Sequence, residues 1–273
     1  MKLSFATLGC PNWTLEQIIT NAKTLGYDGV ELRGVNNEHV GLAEPPEGRQ
    51  RIRQLFASAG IEICSLMGYT TFTNDEEAKQ QANIEAALQY VDLARDLGCP
   101  RLRVFGGNWS PQTDCTGNID RVVACLKQIA PRAEQHGVQL CLETHDAWTR
   151  GANLRAVLDG VGSPAIGACW DVANSFSVEP LEQTFGVIRD RLFHVHLKDT
   201  RRVAGKIRNV LPGEGEVDWE GALRLLHGGG YRDYLSFEWE KKWEPELAEP
   251  EVVFPLFHRR CRELLRKVGA SVR

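Results

Sequence analysis

Four stretches of this 273-residue chain place acids and imidazoles two residues apart. In LFHVHLKDTRR, residues 192–202, alternate side chains of an extended strand share a face. His194, His196 and Lys198 therefore point one way, and Phe193, Val195 and Leu197 the other. VQLCLETH puts Cys141, Glu143 and His145 on one face, and IGACWDVAN puts Gly167, Cys169 and Asp171 on one face, with Asn174 three residues on. YLSFEWE groups Ser236, Glu238 and Glu240. Carboxylates brought together repel unless a cation neutralises them. Three carboxylate oxygens and one imidazole suit Mn²⁺, Co²⁺, Mg²⁺ or Zn²⁺. The absence of thiolates from that set excludes a structural zinc site.

Convergence depends on the elements that carry these residues. Short apolar runs alternate with longer amphipathic ones. Strands are expected at Leu3–Leu8, Asp28–Arg33, Ile61–Met67, Arg101–Phe105, Val138–Thr144, Ile166–Asp171, Leu192–Lys198 and Tyr234–Glu238. Helices are expected near Thr14–Leu25, Gly48–Ala59, Glu76–Leu97, Asn118–Gln135, Leu154–Asp159, Leu181–Arg189, Trp219–Leu226 and Glu251–Val268. The residues after Lys198 read as a long Gly- and charge-rich loop. Eight strand–helix pairs without a composition break predict an α/β fold, a (β/α)8 TIM barrel forming a single domain over residues 1–273. The acids and imidazoles fall at the C-terminal strand ends, where such barrels place active sites. The first βα turn, LGCPNW, lacks GxGxxG, and no GxxxxGK[ST] occurs, so a nucleotide cofactor is not expected.

The net charge of −4 gives no basic track for nucleic acid. No run of ~18 apolar residues suggests a membrane span. MKLSFATLG lacks the basic and apolar regions of a signal peptide, and none of the eight cysteines forms a CxxC pair. Buried thiols in a reducing cytoplasm are the expectation.

The elements DGVELR, LETH, WDxxN, HVHLKD, GEGEVDW and SFEWE, in this order, resemble the xylose isomerase-like TIM-barrel superfamily. This group of sugar-phosphate isomerase/epimerase homologues includes ketose 3-epimerases, hydroxypyruvate isomerase, inosose-handling enzymes and endonuclease IV. The resemblance implies one divalent metal, Mn²⁺ first with Zn²⁺, Co²⁺ or Mg²⁺ as alternatives, held by Glu143, Asp171, His196 and Glu238. It further implies that Glu143 and Glu238 are the acid/base pair of a sugar, sugar-phosphate or polyol isomerase or epimerase. Their reaction would run through a metal-bound cis-enediolate. The chemistry is physically consistent: a proton α to a carbonyl needs an electrophile on the oxygen and a base on the carbon.

Arg202 matches a substrate-binding arginine of the epimerases, and Asn174 replaces the histidine of their Asp-x-x-His element. His145 is a further candidate substrate contact. Among the loop tryptophans expected to wall a sugar pocket are Trp13, Trp109, Trp148 and Trp243. Basic residues in the seventh loop (Arg201, Arg202, Lys206, Arg208) would suit a phosphate or carboxylate, or a solvated surface. His194 reads as core or support, and Glu31, Arg33 and Arg103 as structural ion pairs. Lys198 and Asp199 are expected to pair with each other or with Glu31.

The alternative within the same fold is a lyase or dehydratase acting on a cyclic polyol or keto acid. An endonuclease IV-like site would need histidines at early strand ends, and ELRG, LMGY and VFGG have none. An intact set of four candidate ligands argues against a non-catalytic barrel. The expected partner is a small carbohydrate, with no nucleic acid and no membrane. Barrels of this group often associate, so a homo-oligomer is compatible.

Overall fold

The computed structural model describes residues 1–34 and 39–270. Eight parallel strands close into a barrel: β1 (Lys2–Ala6), β2 (Gly29–Arg33), β3 (Glu62–Met67), β4 (Arg101–Val104), β5 (Gln139–Glu143), β6 (Ile166–Asp171), β7 (Leu192–Leu197) and β10 (Tyr234–Phe237). The barrel closes where β1 pairs with both β2 and β10. Outside run α1 (Leu15–Leu25), α2 (Pro46–Ala59), α3 (Glu77–Leu97), α4 (Cys115–His136), α5 (Gly151–Val161), α7 (Leu181–Ile188), α8 (Trp219–Gly228) and α9 (Pro250–Lys267). A short α6 (Val172–Phe176) follows β6 directly. The expected strands and helices are all present, with ends shifted by a few residues.

Local chemistry explains the punctuation. Thr14 and Gln17 form a reciprocal capping box at the start of α1. Asp114 caps α4 through the Gly117 N–H, and Gly137 ends that helix at φ 65°, a conformation that disfavours side chains with a Cβ.

Strand alternation separates two interiors. Phe5, Val30, Leu32, Leu140, Leu142, Trp170, Val195, Leu197, Leu235 and Phe237 belong to the apolar layer between strands and helices. Phe237 stacks on Phe257 of α9 with centroids 4.3 Å apart. Burying each such side chain contributes roughly 1.5–3 kcal/mol. Residues of opposite parity, including Glu31, Glu143, Asp171, His196 and Ser236, converge within the barrel and are buried.

One segment departs from expectation. Residues after Lys198 form an antiparallel hairpin, β8 (Asp199–Val203) and β9 (Lys206–Val210). Its turn carries positive φ at Ala204 and Gly205. From Arg201 through Arg208 the hairpin is exposed, so it has no alternating apolar pattern to announce it. All eight cysteines are free and all but Cys115 are buried. No helix among the described residues is long and apolar enough to cross a membrane.

Candidate active site and metal centre

β5, β6, β7 and the end of β10 bring Glu143, Asp171, His196 and Glu238 together, each buried. One donor atom from each lies within 4.8 Å of all the others. His196 Nδ1 is 3.0 Å from Glu143 Oε1 and 3.4 Å from Glu238 Oε1. Glu143 Oε2 is buried without a hydrogen-bond donor, and Asp171 Oδ2 is buried against the Lys198 ammonium at 2.9 Å. Hard carboxylate oxygens, one of them without a donor, and one imidazole fit a divalent cation. Two overlapping groups share His196: one adds Cys169 to Glu143, the other joins Glu31 and His194. Burial raises the Cys169 thiol to about 12, which favours the four-residue oxygen–imidazole set over the thiol set.

Supporting residues position this set. His196 Nε2–H donates to Glu31 Oε2 at 2.9 Å, and Ser236 Oγ donates to the same oxygen at 2.9 Å. His194 Nε2 lies 3.3 Å from it, consistent with the supporting role expected for His194. Asp171 Oδ1 accepts the Asn174 N–H at 2.8 Å, so this ligand candidate also caps α6. Lys198 Nζ, expected to pair with Asp199 or Glu31, pairs instead with Asp171 Oδ2, Glu238 Oε2 and Glu240 Oε1 at 2.9, 2.8 and 3.0 Å.

Asp199 accepts backbone N–H groups of Gly213 and Gly215 at 2.8 and 3.0 Å. A Cβ at Gly215 would lie 1.9 Å from Asp199 Oδ1, so the GEGEVDW segment needs glycine there. Trp219 Nε1 then donates to the Lys198 carbonyl at 3.1 Å. HVHLKD and GEGEVDW thus meet to fix the end of β7.

The charges are strongly coupled. Burial raises the Asp171 carboxyl to about 6, reinforced by Glu238 and Glu143 and opposed by Lys198. Burial also opposes ionisation of Glu238, but Lys198, His196 and Arg103 outweigh it and hold that carboxyl far below its usual range. Glu143 is lowered as Arg103 and His196 overcome burial and Glu238. Against burial, which favours neutral imidazole, the surrounding acidic groups raise His196 well above its usual value.

The proposed substrate residues separate. His145 is half-buried beside Glu143 in sequence, with its ring 4.6 Å from Phe105 and Nδ1 3.1 Å from Asp146. Burial would lower its pKa, but Asp146 and Glu143 raise it. Asn174 is half-buried one turn beyond Asp171. Arg202 is exposed on the hairpin, where Nη1 donates to Gly205 O at 3.2 Å. Trp13 packs edge-on against Phe5 and Phe254 in the outer layer, with Nε1 donating to Glu251. Trp148 is fully buried, Trp109 stands edge-on to it, and Trp243 is exposed over Arg33. Glu31, Arg103 and Lys198, expected from the sequence in ion-pair roles, contact the four-residue cluster directly. The shared parity of Glu31 and Arg33 in DGVELR was the available sign that both face inward.

Residues 19–253 match the model of the xylose isomerase-like TIM barrel. The chain belongs to this family. A 3-dehydroshikimate dehydratase of Pseudomonas putida is 27% identical over 252 residues, covering 87% of this chain. The chain spans only 38% of that relative's length. Fructoselysine 3-epimerase of Shigella flexneri is 24% identical, with 87% of this chain and 90% of the relative covered. Among solved structures, the IolI protein with a bound zinc atom superposes with a TM-score of 0.83 at 19% identity, covering 98% of this chain and 99% of that one. The relatives of this chain therefore include both an epimerase and a dehydratase.

Proposed function

We propose that the chain is a metal-dependent isomerase or epimerase that moves a proton next to a carbonyl of a sugar or polyol substrate. The observation that carries this reading is the buried convergence of Glu143, Asp171, His196 and Glu238 at the C-terminal strand ends. These four residues would hold the metal, with Mn²⁺ the first ion to test. A bound divalent ion would polarise the substrate carbonyl and stabilise negative charge on its oxygen.

The chain's own residues supply the proton transfer. Glu143 and Glu238 lie on strands separated in the barrel by β6 and β7 and reach the same His196 nitrogen. Arg103 and Lys198 keep their respective glutamates ionised, so either can act as a base at neutral pH. One glutamate takes the proton from carbon; the other, once protonated from solvent, delivers a proton to the enediolate, and the first releases its proton to solvent to complete the cycle. Epimerisation returns a proton to the opposite face of the same carbon; isomerisation returns it to the neighbouring carbon.

A second reading, elimination of water, is favoured by His145. Its imidazole stands near the mouth with Asp146 and Glu143 supporting the protonated form, suited to protonate a leaving hydroxyl. The 3-dehydroshikimate dehydratase relative supports the same alternative.

The deciding experiment measures solvent-deuterium incorporation into a panel of ketoses, inososes and keto acids with Mn²⁺-loaded enzyme. Exchange at a carbon beside the carbonyl without loss of water supports epimerisation or isomerisation. Release of water selects elimination. Absence of both reactions, with metal bound, would overturn the enzymatic reading.

A further inference from the structure

Arg33 and Arg103, at the ends of β2 and β4, are each only 1% exposed. Both guanidinium groups lie against Tyr69, with Arg33 Cζ 5.3 Å and Arg103 Cζ 4.7 Å from its ring centroid. Arg33 Nε also donates to Tyr69 Oη at 3.1 Å. Phe105 lies 4.0 Å from Arg103, and Trp243 lies 5.0 Å from Arg33. These contacts place two cations in one aromatic framework, with Arg103 beside the proposed catalytic Glu143.

Arg103 is incompletely satisfied. Its Nε makes a long ion pair with Glu143 Oε2 at 3.5 Å, and both Nε and Nη1 are buried without a hydrogen-bond acceptor. A buried guanidinium with unused N–H groups carries a desolvation cost unless an acceptor arrives. Contact with Glu143 Oε2 leaves the Arg103 Nη1 donor without a partner. Phe105 and Tyr69 occupy its aromatic environment, leaving in-plane N–H donation as the specific interaction available to a ligand. A planar or multidentate oxyanion matches that donor chemistry.

We propose that Arg103, with Arg33 against the same Tyr69 ring, forms an oxyanion subsite, so the substrate of the proposed reaction carries a carboxylate or phosphate in addition to its carbonyl. This substrate assignment rests on the proposed catalytic reading, whereas anion binding itself can be tested without turnover. The positive pair would hold the anionic end while Glu143 and Glu238 act on the reacting end.

The test uses the full chain loaded with Mn²⁺ and measures binding of succinate, inorganic phosphate and neutral D-fructose by calorimetry and thermal shift. Succinate or phosphate should bind the wild type, and Arg103→Met should weaken that anion at least tenfold while retaining metal. Preference for succinate identifies a carboxylate subsite; preference for phosphate identifies a phosphate subsite. D-fructose binding should change less than twofold. Arg103→Lys, which keeps charge but loses the fork, should weaken the preferred anion at least fivefold and supplies the comparison if the methionine variant does not fold.

Glu238→Gln separates the two readings: it should retain anion binding while losing turnover. Anion binding in that variant together with undiminished turnover would leave the subsite standing and overturn the proposed acid/base pair. No specific anion binding to wild type, equal anion binding to wild type and the arginine variants, or equal loss of D-fructose binding would overturn the subsite.

Discussion

Glu31 Oε2 and His196 Nε2 meet at 2.9 Å inside the barrel, although the residues are 165 positions apart. The contact turns Nδ1 of His196 toward Glu143 and Glu238. Outer carboxylates of this kind fix a ligand histidine's tautomer and ring orientation.

Replacing Glu31 with Gln should retain the barrel but weaken Mn²⁺ binding by about 10–100-fold. Calorimetry on metal-free protein checks the affinity, and circular dichroism checks the fold. Unchanged affinity would remove Glu31 from the positioning role.

His196→Ala should remove the imidazole from the metal set. Elemental analysis should find substantially less retained metal than in wild type. The variant should also lose most of the wild type's Mn²⁺-dependent rise in Tm, because ligand-linked stabilisation requires preferential binding to the folded state.

Glu238→Gln should lower turnover by about 10²–10⁴-fold while preserving the fold, the range associated with positioned acid/base catalysis. Solvent-deuterium exchange and near-ultraviolet circular dichroism provide separate readouts. Wild-type turnover in the folded variant would be incompatible with its assigned role.

Lys198→Met should destabilise the metal-free chain by about 3–5 kcal/mol, because its removal leaves buried carboxylates without their ammonium partner. Urea unfolding measures the loss. Added Mn²⁺ should recover part of it by neutralising Asp171 and Glu238; equal loss with and without metal would contradict that coupling.

A pH-dependent contribution is expected on the outer surface. Arg132 makes two hydrogen bonds to Asp92 at 2.8 and 2.5 Å. Burial opposes ionisation of Asp92, but Arg132, Arg95 and His136 hold its folded-state pKa below the usual value. The resulting stability is present above the unfolded Asp value near ~3.9 and is lost as pH falls through the lower folded value. Asp92→Asn should therefore cost about 0.5–1 kcal/mol at neutral pH, with the difference from wild type shrinking below about pH 4. Urea unfolding across pH tests this sign.

The alternating residues around Glu143, Asp171, His196 and Glu238 made four inward strand ends legible because strand side chains repeat every second residue. The eight strand–helix units likewise made the barrel legible because their apolar periods and turn signals are local. Tertiary structure decided that Glu31 supports His196, that Lys198 joins Asp171, Glu238 and Glu240, and that Asp199 instead binds the Gly213–Gly215 backbone. It also made an exposed hairpin from a charged segment and placed Arg202 on it. Those outcomes depend on barrel closure and long-range side-chain geometry; local sequence period determines which face a residue shares, but not which distant residue meets it there.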